Sequence, residues 1–421
     1  MKFLLLPLAF FLAAAPSLAQ PVDPVAASAI NALGIDLLHQ TASPNANALL
    51  SPYSIQMALA MTCAGADGQT RAEMGRVLHY PTDQTQVDRA FSALQENLNG
   101  LMQRQAAEAE SLKPSGVTLE PLTLTTVNRL YGQQSYEFRP AYLNLLNETF
   151  QAPLERWDFV HDADGAITHI NDWVARQTHD RIQNIIPPGG VDNQTRLVLV
   201  NAIYLKAPWQ TKFDKSATQS LPFHLPDGSS ASVPTMYQEV SLGYAHPNGY
   251  QAVVLPYIGG DLQFVIFLPD DPHGLPALES RLTPQMLSDC ARLPNPDLKL
   301  FLPKFKLAPP TLSLSQALQS LGLKQAFDIP VGSANFDRMA PRRPNDYLYI
   351  SEVFHKTFLN LDESETEAAA ATVVSMDFGA AAPMTPPPPP IEVHVDHPFL
   401  FAIQHQASGA CLFLGHVTDP R

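Results

Sequence analysis

Cysteine is scarce. The chain carries three in 421 residues, Cys63, Cys290 and Cys411, and none is at C-x-x-C spacing. That excludes a disulfide framework and argues against a metal cluster or redox motif, leaving at most one bridge and one odd thiol. Cys63 lies in an apolar helix-like run and Cys411 in a strand-like one, so both are expected to pack as small hydrophobes. Charge is also sparse, at 16% of residues, and one-sided: 26 Lys and Arg against 40 Asp and Glu give a formal −14. With no block of Lys or Arg, nucleic acid is not expected as a partner. The sequence has no G-x-S-x-G elbow, H-E-x-x-H, glycine-rich phosphate loop or EF-hand pattern. Nothing therefore points to an enzyme, a metal or a cofactor. His394, Asp396 and His397 lie close together but read as surface and edge-strand residues. His161, Asp162 and Asp164 read as polar cap residues before a helix.

What is present is ample for a large core: 45% of residues are hydrophobic, and 39 prolines imply many rigid loops. Met1–Ala19 reads as a signal peptide, with Lys2, an apolar run Phe3–Ala15 and a small-x-small site at Ser17-Leu18-Ala19. That run is too short to span a bilayer, so the mature chain is expected to be exported, extracellular or periplasmic, with no membrane partner. Residues 20–421 show no repeat and no composition break, and read as a single domain. Ala26, Ile30, Leu33 and Leu37 predict an opening surface helix. Ser51-Pro52 predicts the N-cap and first position of a buried helix from Tyr53 to Ala64. Thr70-Arg71-Ala72-Glu73 reads as a capping box for a third helix. Leu122–Tyr131 alternates as a strand, and Leu197–Leu205 is apolar enough for a central strand covered on both faces. Gly259-Gly260-Asp261 between two apolar runs predicts a hairpin. Leu298, Leu300 and Leu302 alternate, while Leu314, Leu318 and Leu321 return to helical spacing. Helices and strands mix without a βαβ rhythm, so the fold class is α+β.

One stretch fits none of this. From about Glu363 to Pro390 the chain runs Glu-Ser-Glu-Thr-Glu, four alanines, Thr-Val-Val-Ser-Met-Asp-Phe-Gly, three alanines, Pro-Met-Thr and five prolines. Thr366, Ala368, Ala370, Thr372, Val374 and Met376 form a small or apolar set at period two, and Glu367, Ser375 and Asp377 fall in the other set. Such a segment could lie in a sheet, yet it ends in a proline run that cannot donate ladder hydrogen bonds. Strand-like chain resumes at once, at Ile391–Val395, His397–Gln404 and, after a Ser408-Gly409 turn, Ala410–Val417.

This segment, with the Asp396-His397-Pro398-Phe399-Leu400-Phe401 that follows, resembles the serpins. So do Asn47-Ala48-Leu49-Leu50-Ser51-Pro52-Tyr53-Ser54-Ile55, Asn128-Arg129-Leu130-Tyr131-Gly132 and Leu199-Val200-Asn201-Ala202-Ile203-Tyr204 with Trp209. Leu302-Pro303-Lys304-Phe305 and Ile350-Ser351-Glu352-Val353-Phe354-His355-Lys356 complete the series, and the resemblance covers almost the whole mature chain. It implies three β-sheets, about eight or nine helices and an exposed reactive loop. It implies a metastable suicide inhibitor of serine proteases, monomeric, that forms a covalent acyl complex with its target and traps it by inserting the cleaved loop into the main sheet. Glu363, Glu365, Thr366, Glu367, Ala368, Ala369, Ala370 and Ala371 match the loop's hinge. Ser51, Ser54, Asn201 and His355 match the polar cluster called the shutter. Trp209, Lys304 and Glu363 match the top of the opening, the breach.

Glu365 departs from the glycine usual in inhibitory members and favours, as the alternative, a non-inhibitory binding or chaperone-like module. Counting seventeen residues from Glu363, as inhibitory members do, puts the reactive bond at Gly379–Ala380, with Phe378–Gly379 and Met384–Thr385 as alternatives. Met384–Thr385 would require Pro383 to enter a sheet without a donor. Small residues at the bond and no Lys or Arg in the loop suggest elastase- or subtilisin-like targets.

Overall fold

The computed structural model describes residues 24–115, 122–344, 346–363 and 388–421. The expected signal peptide lies outside them, as do residues 364–387 of the loop.

The chain enters through α1 (Pro24–Thr41). The expected surface helix is instead a core helix: Ile30, Leu33, Leu37 and Leu38 are fully buried, and Asn31 with them. Ala26, Ala27, Ala29, Gly34 and Ile35 are buried too, so the helix packs on more than the one stripe the spacing marked, and Asn31 is accommodated because its side chain is bonded. Asn31 Nδ2 donates to the Gly409 carbonyl at 2.9 Å and its Oδ1 accepts from the Cys411 amide at 2.9 Å, tying the helix to a turn 380 residues away. After β1 (Ala48–Leu50), α2 (Pro52–Gly65) opens as predicted: Ser51 Oγ accepts from the Ser54 amide at 3.2 Å and Pro52 takes the first turn. Every α2 residue except Ala64 is buried.

In α3 (Gly68–Val77) the predicted capping box is absent. Asp67 is the N-cap residue, and Thr70 lies inside the helix. Thr70 Oγ1 accepts from the Asn335 amide at 3.0 Å, and Glu73 Oε2 accepts from the amides of Lys324 and Gln325 at 3.0 and 2.8 Å. Both side chains satisfy distant backbone, so neither closes the local box. A 29-residue helix, α4 (Gln84–Leu112), follows, capped by Asp83. Then come β2 (Thr123–Gln133), α5 (Pro140–Glu148), β3 (Glu155–Trp157) and α6 (Ala163–Gln177). Asp162 caps α6 by accepting from the Gly165 amide at 3.0 Å, as its residue type suggested.

The next strands are β4 (Leu197–Lys206), β5 (Gln219–His224), β6 (Ser230–Ser241), β7 (Gly243–Ala245), β8 (Tyr250–Pro256) and β9 (Leu262–Pro269). The predicted hairpin joins β8 to β9, with Gly259 and Gly260 at φ of 82° and 73°, a region open mainly to glycine. Short helices α7 (Leu275–Glu279) and α8 (Pro284–Asp289) lead into β10 (Asp297–Pro303), β11 (Phe305–Leu307) and β12 (Leu312–Ser313). The last elements are α9 (Ser315–Ser320), β13 (Glu352–Leu361), β14 (Ile391–His394), β15 (Phe399–His405) and β16 (Ala410–Val417).

The described residues form nine α-helices and three sheets. The main sheet runs β11-β13-β4-β2-β3, with β12 paired to β13; a second runs β1-β16-β15-β9-β8-β7; a third runs β14-β10-β6-β5. β4 lies at the centre of the main sheet and is buried from Leu197 to Leu205. Its alternation serves both faces of the sheet. Leu197, Leu199, Ile203 and Leu205 join the cores that also contain α2 side chains, while Val198, Val200, Ala202 and Tyr204 pack with Ile170 and Val174 of α6. Each such buried aliphatic side chain contributes roughly 1.5–3 kcal/mol. α2 thus lies against one face of the main sheet and also touches β16 of the second, while α6 covers the opposite face.

Asn31→Leu would leave the Gly409 carbonyl and the Cys411 amide buried without partners. The main thermal transition should fall by the equivalent of about 2–4 kcal/mol, measured by circular dichroism melting. An unchanged melting temperature would show that α1 is not held by these two bonds.

Candidate functional site

The site lies along the seam where β4 and β13 meet. They run parallel and pair directly, from Glu352 opposite Val198 to Phe358 opposite Tyr204. That register ends there. β13 continues to Leu361 paired with β11, while Leu205 and Lys206 pair with β2. Leu205 and Ala207 on one side and Leu359 and Leu361 on the other line a small cleft, with Trp209 and Tyr257 beside it. The seam is closed along its length and parted at this one end.

Beneath the closed part lies a buried polar row. The register sets Asn128 of β2 opposite Asn201 of β4, and Asn201 opposite His355 of β13. Asn201 and His355 are buried among the apolar side chains of α2 and the sheet. His355 Nε2 accepts from the Ser51 amide at 3.0 Å, so its Nδ1 carries the proton and donates to Asn201 Oδ1. Asn201 Nδ2 donates to Ser54 Oγ at 2.5 Å and to Asn128 Oδ1, and Ser54 Oγ donates to Asn128 Oδ1 at 3.1 Å. One residue along, Thr357 Oγ1 donates to the Leu49 carbonyl at 3.2 Å. The imidazole is neutral in this arrangement, since a proton on Nε2 would face the Ser51 N–H. Burial pushes its pKa down to about 3, only partly offset by its bond to Asn201.

Ser51, Ser54, Asn201 and His355, matched from the sequence, are thus brought together, and Asn128 belongs with them. Asn128 lies in a quoted motif but was not assigned to the cluster. A signal was present: Leu124 and Leu130 of β2, and Leu122 just before it, share its parity and face the α2 side, so a polar residue at 128 interrupts an apolar set.

At the parted end, a second cluster surrounds Glu363, the last described residue before the loop. Glu363 Oε2 pairs with Lys304 Nζ at 2.7 Å and Oε1 accepts from Thr218 Oγ1 at 2.7 Å. Trp209 Nε1 donates to the carbonyl of Asp362 at 2.9 Å. Trp209 is stacked on Tyr257 at 4.7 Å and meets Phe213 and Phe264 edge-on. The Glu363 side chain is 6% exposed and that of Lys304 34%, so the pair is half sheltered. Burial raises the Glu363 carboxyl, but the bonds from Lys304 and Thr218 outweigh it and hold the group below its ordinary range. Trp209, Lys304 and Glu363 are brought together as matched; Thr218 is the partner that no motif announced.

Glu365, Thr366, Glu367, Ala368, Ala369, Ala370 and Ala371 of the hinge lie outside the described residues, as do Phe378, Gly379, Ala380, Met384 and Thr385. His394 is stacked on Phe301 at 4.3 Å, while His397 is bonded to Asp396 Oδ1 at 2.7 Å and the Pro269 carbonyl at 2.8 Å. His397 is therefore a buried tie between sheets rather than the surface residue expected. The described residues contain no group of three His, Cys, Asp or Glu placed to hold a metal. All three cysteines are buried and unbridged, Cys63 and Cys411 as their surroundings suggested, and burial pushes the thiols of Cys63 and Cys290 up to about 11 and 12.

Residues 28–420 match the family described as Serpin (serine protease inhibitor). The leukocyte elastase inhibitor of Bos taurus is 36% identical over 387 residues, 90% of this chain and 94% of that protein. Its Homo sapiens counterpart is 35% identical over 398 residues, 92% and 97% of the two chains. The crystal structure of uncleaved ovalbumin superposes with a TM-score of 0.76 at 27% identity, covering 94% of this chain and 99% of that one. The chain belongs to the serpin family, and its fold is the serpin fold.

Two expectations follow. The native state cannot take a proton at His355 until pH is near 3, whereas an unfolded histidine takes one near 6.5. Stability should therefore fall as pH drops from 6.5, by up to about 1.4 kcal/mol per pH unit. His355→Gln should make that decline shallower by about one proton, read from melting curves between pH 7 and 4; parallel profiles for the two proteins would contradict the assignment. At the parted end, Lys304→Met leaves Glu363 buried beside Thr218 alone. Allowing for the exposure of Lys304, the loss should be about 1–2 kcal/mol, and Glu363→Gln in the same background should recover part of it.

Proposed function

We propose that the protein is a secreted, monomeric suicide inhibitor of an elastase- or subtilisin-like serine protease. The observation that carries this is the direct parallel pairing of β4 with β13. The loop leaves β13 at Glu363, so a strand folding back from there runs antiparallel to both neighbours. Inserted between them, it replaces one parallel ladder with two antiparallel ones, adding backbone hydrogen bonds in the more favourable geometry. Strand addition of this kind has serpin loop insertion among its standing examples.

The protease attacks Gly379–Ala380 as a substrate and its serine becomes acylated by Gly379, with the amine of Ala380 leaving. Thr366–Gly379, at about 3.3 Å per residue, then spans roughly 45 Å once inserted. The acyl bond is carried that distance, and distortion of the enzyme's oxyanion hole slows its hydrolysis. Thr366 and Ala368–Ala371 enter first, and their small side chains suit the narrow end that Leu205, Ala207, Leu359 and Leu361 line. The Glu363–Lys304 pair and the Asp362–Trp209 bond hold the base of the loop at that end. The His355 row beneath the seam must exchange partners as the strands part. Target preference rests on the small residues at the bond, the lack of Lys or Arg in the loop and the names of the two relatives. Export rests on Met1–Ala19, and the covalent, one-to-one complex on the mechanism itself.

Glu365 alone favours the second reading, a non-inhibitory binding module. A side chain there restricts the backbone where glycine would let it fold over. Its parity matches Glu363 and Glu367, so with Thr366 inward the charge stays in solvent, and inhibition is expected to persist with some unproductive cleavage.

Incubation with elastase- and subtilisin-like enzymes should give a complex that survives denaturant, with release of Ala380–Arg421 identified by mass spectrometry. The nicked protein should melt well above the intact one. Clean cleavage, full recovery of protease and no thermal gain would establish the binding module instead.

A further inference from the structure

Two Asn-Gly pairs occur in the chain, Asn99-Gly100 and Asn248-Gly249, and the fold treats them oppositely. At such a pair the asparagine side chain meets the next backbone nitrogen with the least obstruction, because glycine has no Cβ. Asn99 lies in the middle of α4, so the Gly100 amide is committed to the helical ladder. Asn248 is exposed, in the turn that joins β7 to β8. Gly249 takes a φ of 93°. Its amide has no hydrogen-bond partner among the described residues, while its carbonyl accepts from the Asp270 amide at 3.1 Å. A bond of 2.9 Å between His246 Nε2 and Asp270 Oδ1 ties the same turn to the end of β9. A cation lies against the glycine: a Cβ at Gly249 would be 3.2 Å from Arg281 Nη2 and 3.7 Å from Nη1. Arg281 follows α7, and its Nε donates to the Ala277 carbonyl at 3.2 Å, which holds the guanidinium in place.

We propose that Asn248 is a site of spontaneous deamidation assisted by Arg281, and that Asn99 is protected from the same reaction. The Gly249 amide gives its proton to solvent, and its nitrogen attacks the carbonyl carbon of the Asn248 side chain. A C–N bond forms, the bond to the carboxamide nitrogen breaks, and ammonia leaves, giving a cyclic imide. Water then adds to one of the two imide carbonyls and opens the ring, leaving aspartate or isoaspartate at position 248. Ring closure passes through negative charge on the backbone nitrogen and the attacked carbonyl oxygen. A guanidinium fixed beside Gly249 stabilises that charge where it develops. Closure also turns the Asn248 backbone toward its own side chain, a rotation that a turn ending in glycine permits and a helix forbids. At Asn99 it requires α4 to open locally first. The product carries a new carboxylate in the field of Arg281, and the isoaspartate form adds a methylene to the backbone of the turn. The site lies outside the loop and the seam, so it stands or falls apart from the inhibitory reading.

The test is to incubate the full chain, folded and in parallel denatured, in mildly alkaline heavy-oxygen water and to follow both sites by peptide mapping. Each conversion takes an oxygen atom from solvent and yields a more acidic species on isoelectric focusing. In the folded chain Asn248 should convert faster than Asn99 by about tenfold or more, whereas in the denatured chain the two should convert at similar rates. Arg281→Gln should slow Asn248 several-fold in the folded chain and leave its rate in the denatured chain unchanged. Arg281→Lys, which keeps the charge, should restore most of the folded rate. Asn248 left intact while the denatured chain converts, equal conversion of Asn99 and Asn248 in the folded chain, or an Arg281→Gln rate at or above the original would each overturn the proposal.

Discussion

Two central strands, β4 and β13, run side by side in one direction with no strand between them, and the surrounding elements can be understood by what they do at that contact. Parallel neighbours at a sheet centre need both faces covered, and α2 and α6 supply the two covers. β13 reaches the contact from the far end of the sequence, after α9 and a long excursion, and the loop begins where it ends. The topology therefore places Glu363, the last described residue before the loop, at the end where the two strands diverge.

The middle of the seam is polar where apolar packing would have been simpler. Asn128, Asn201 and His355 form a row across three strands, each bonded to its neighbour in the row and the row bonded to Ser51 and Ser54 at the start of α2. Such a row costs little while every member is satisfied, and costs much when one is not. Interdigitated leucines would resist parting by packing alone and would have no preferred rearrangement. A row of donors and acceptors offers a defined set of exchanges, which suits strands that the proposed insertion must separate.

Much of this was legible in the sequence. The alternation of β4, the Ser51-Pro52 helix start and the Gly259-Gly260 hairpin are local, and local chemistry fixed them. The failures share a cause. Thr70 and Glu73 have the pattern of a capping box but bond to Asn335, Lys324 and Gln325; α1 has the spacing of a surface helix but is buried on more sides, with Asn31 satisfied by Gly409 and Cys411. In each instance a partner more than 200 residues away prevailed over the near one, and spacing cannot register such partners. The site divided in the same way. Family motifs supplied Ser51, Ser54, Asn201, His355, Trp209, Lys304 and Glu363; Asn128 left only the trace of a polar residue in an apolar set, and Thr218 emerged with the fold.

Ser51 serves two structures at once. Its hydroxyl closes the first turn of α2, and its amide holds His355 in one tautomer. A change that frays the helix start also shifts the imidazole, so the ease with which the strands part and the integrity of the helix beneath them cannot drift separately at this position. Any substitution at Ser51 therefore reaches the start of α2 and the His355 row together.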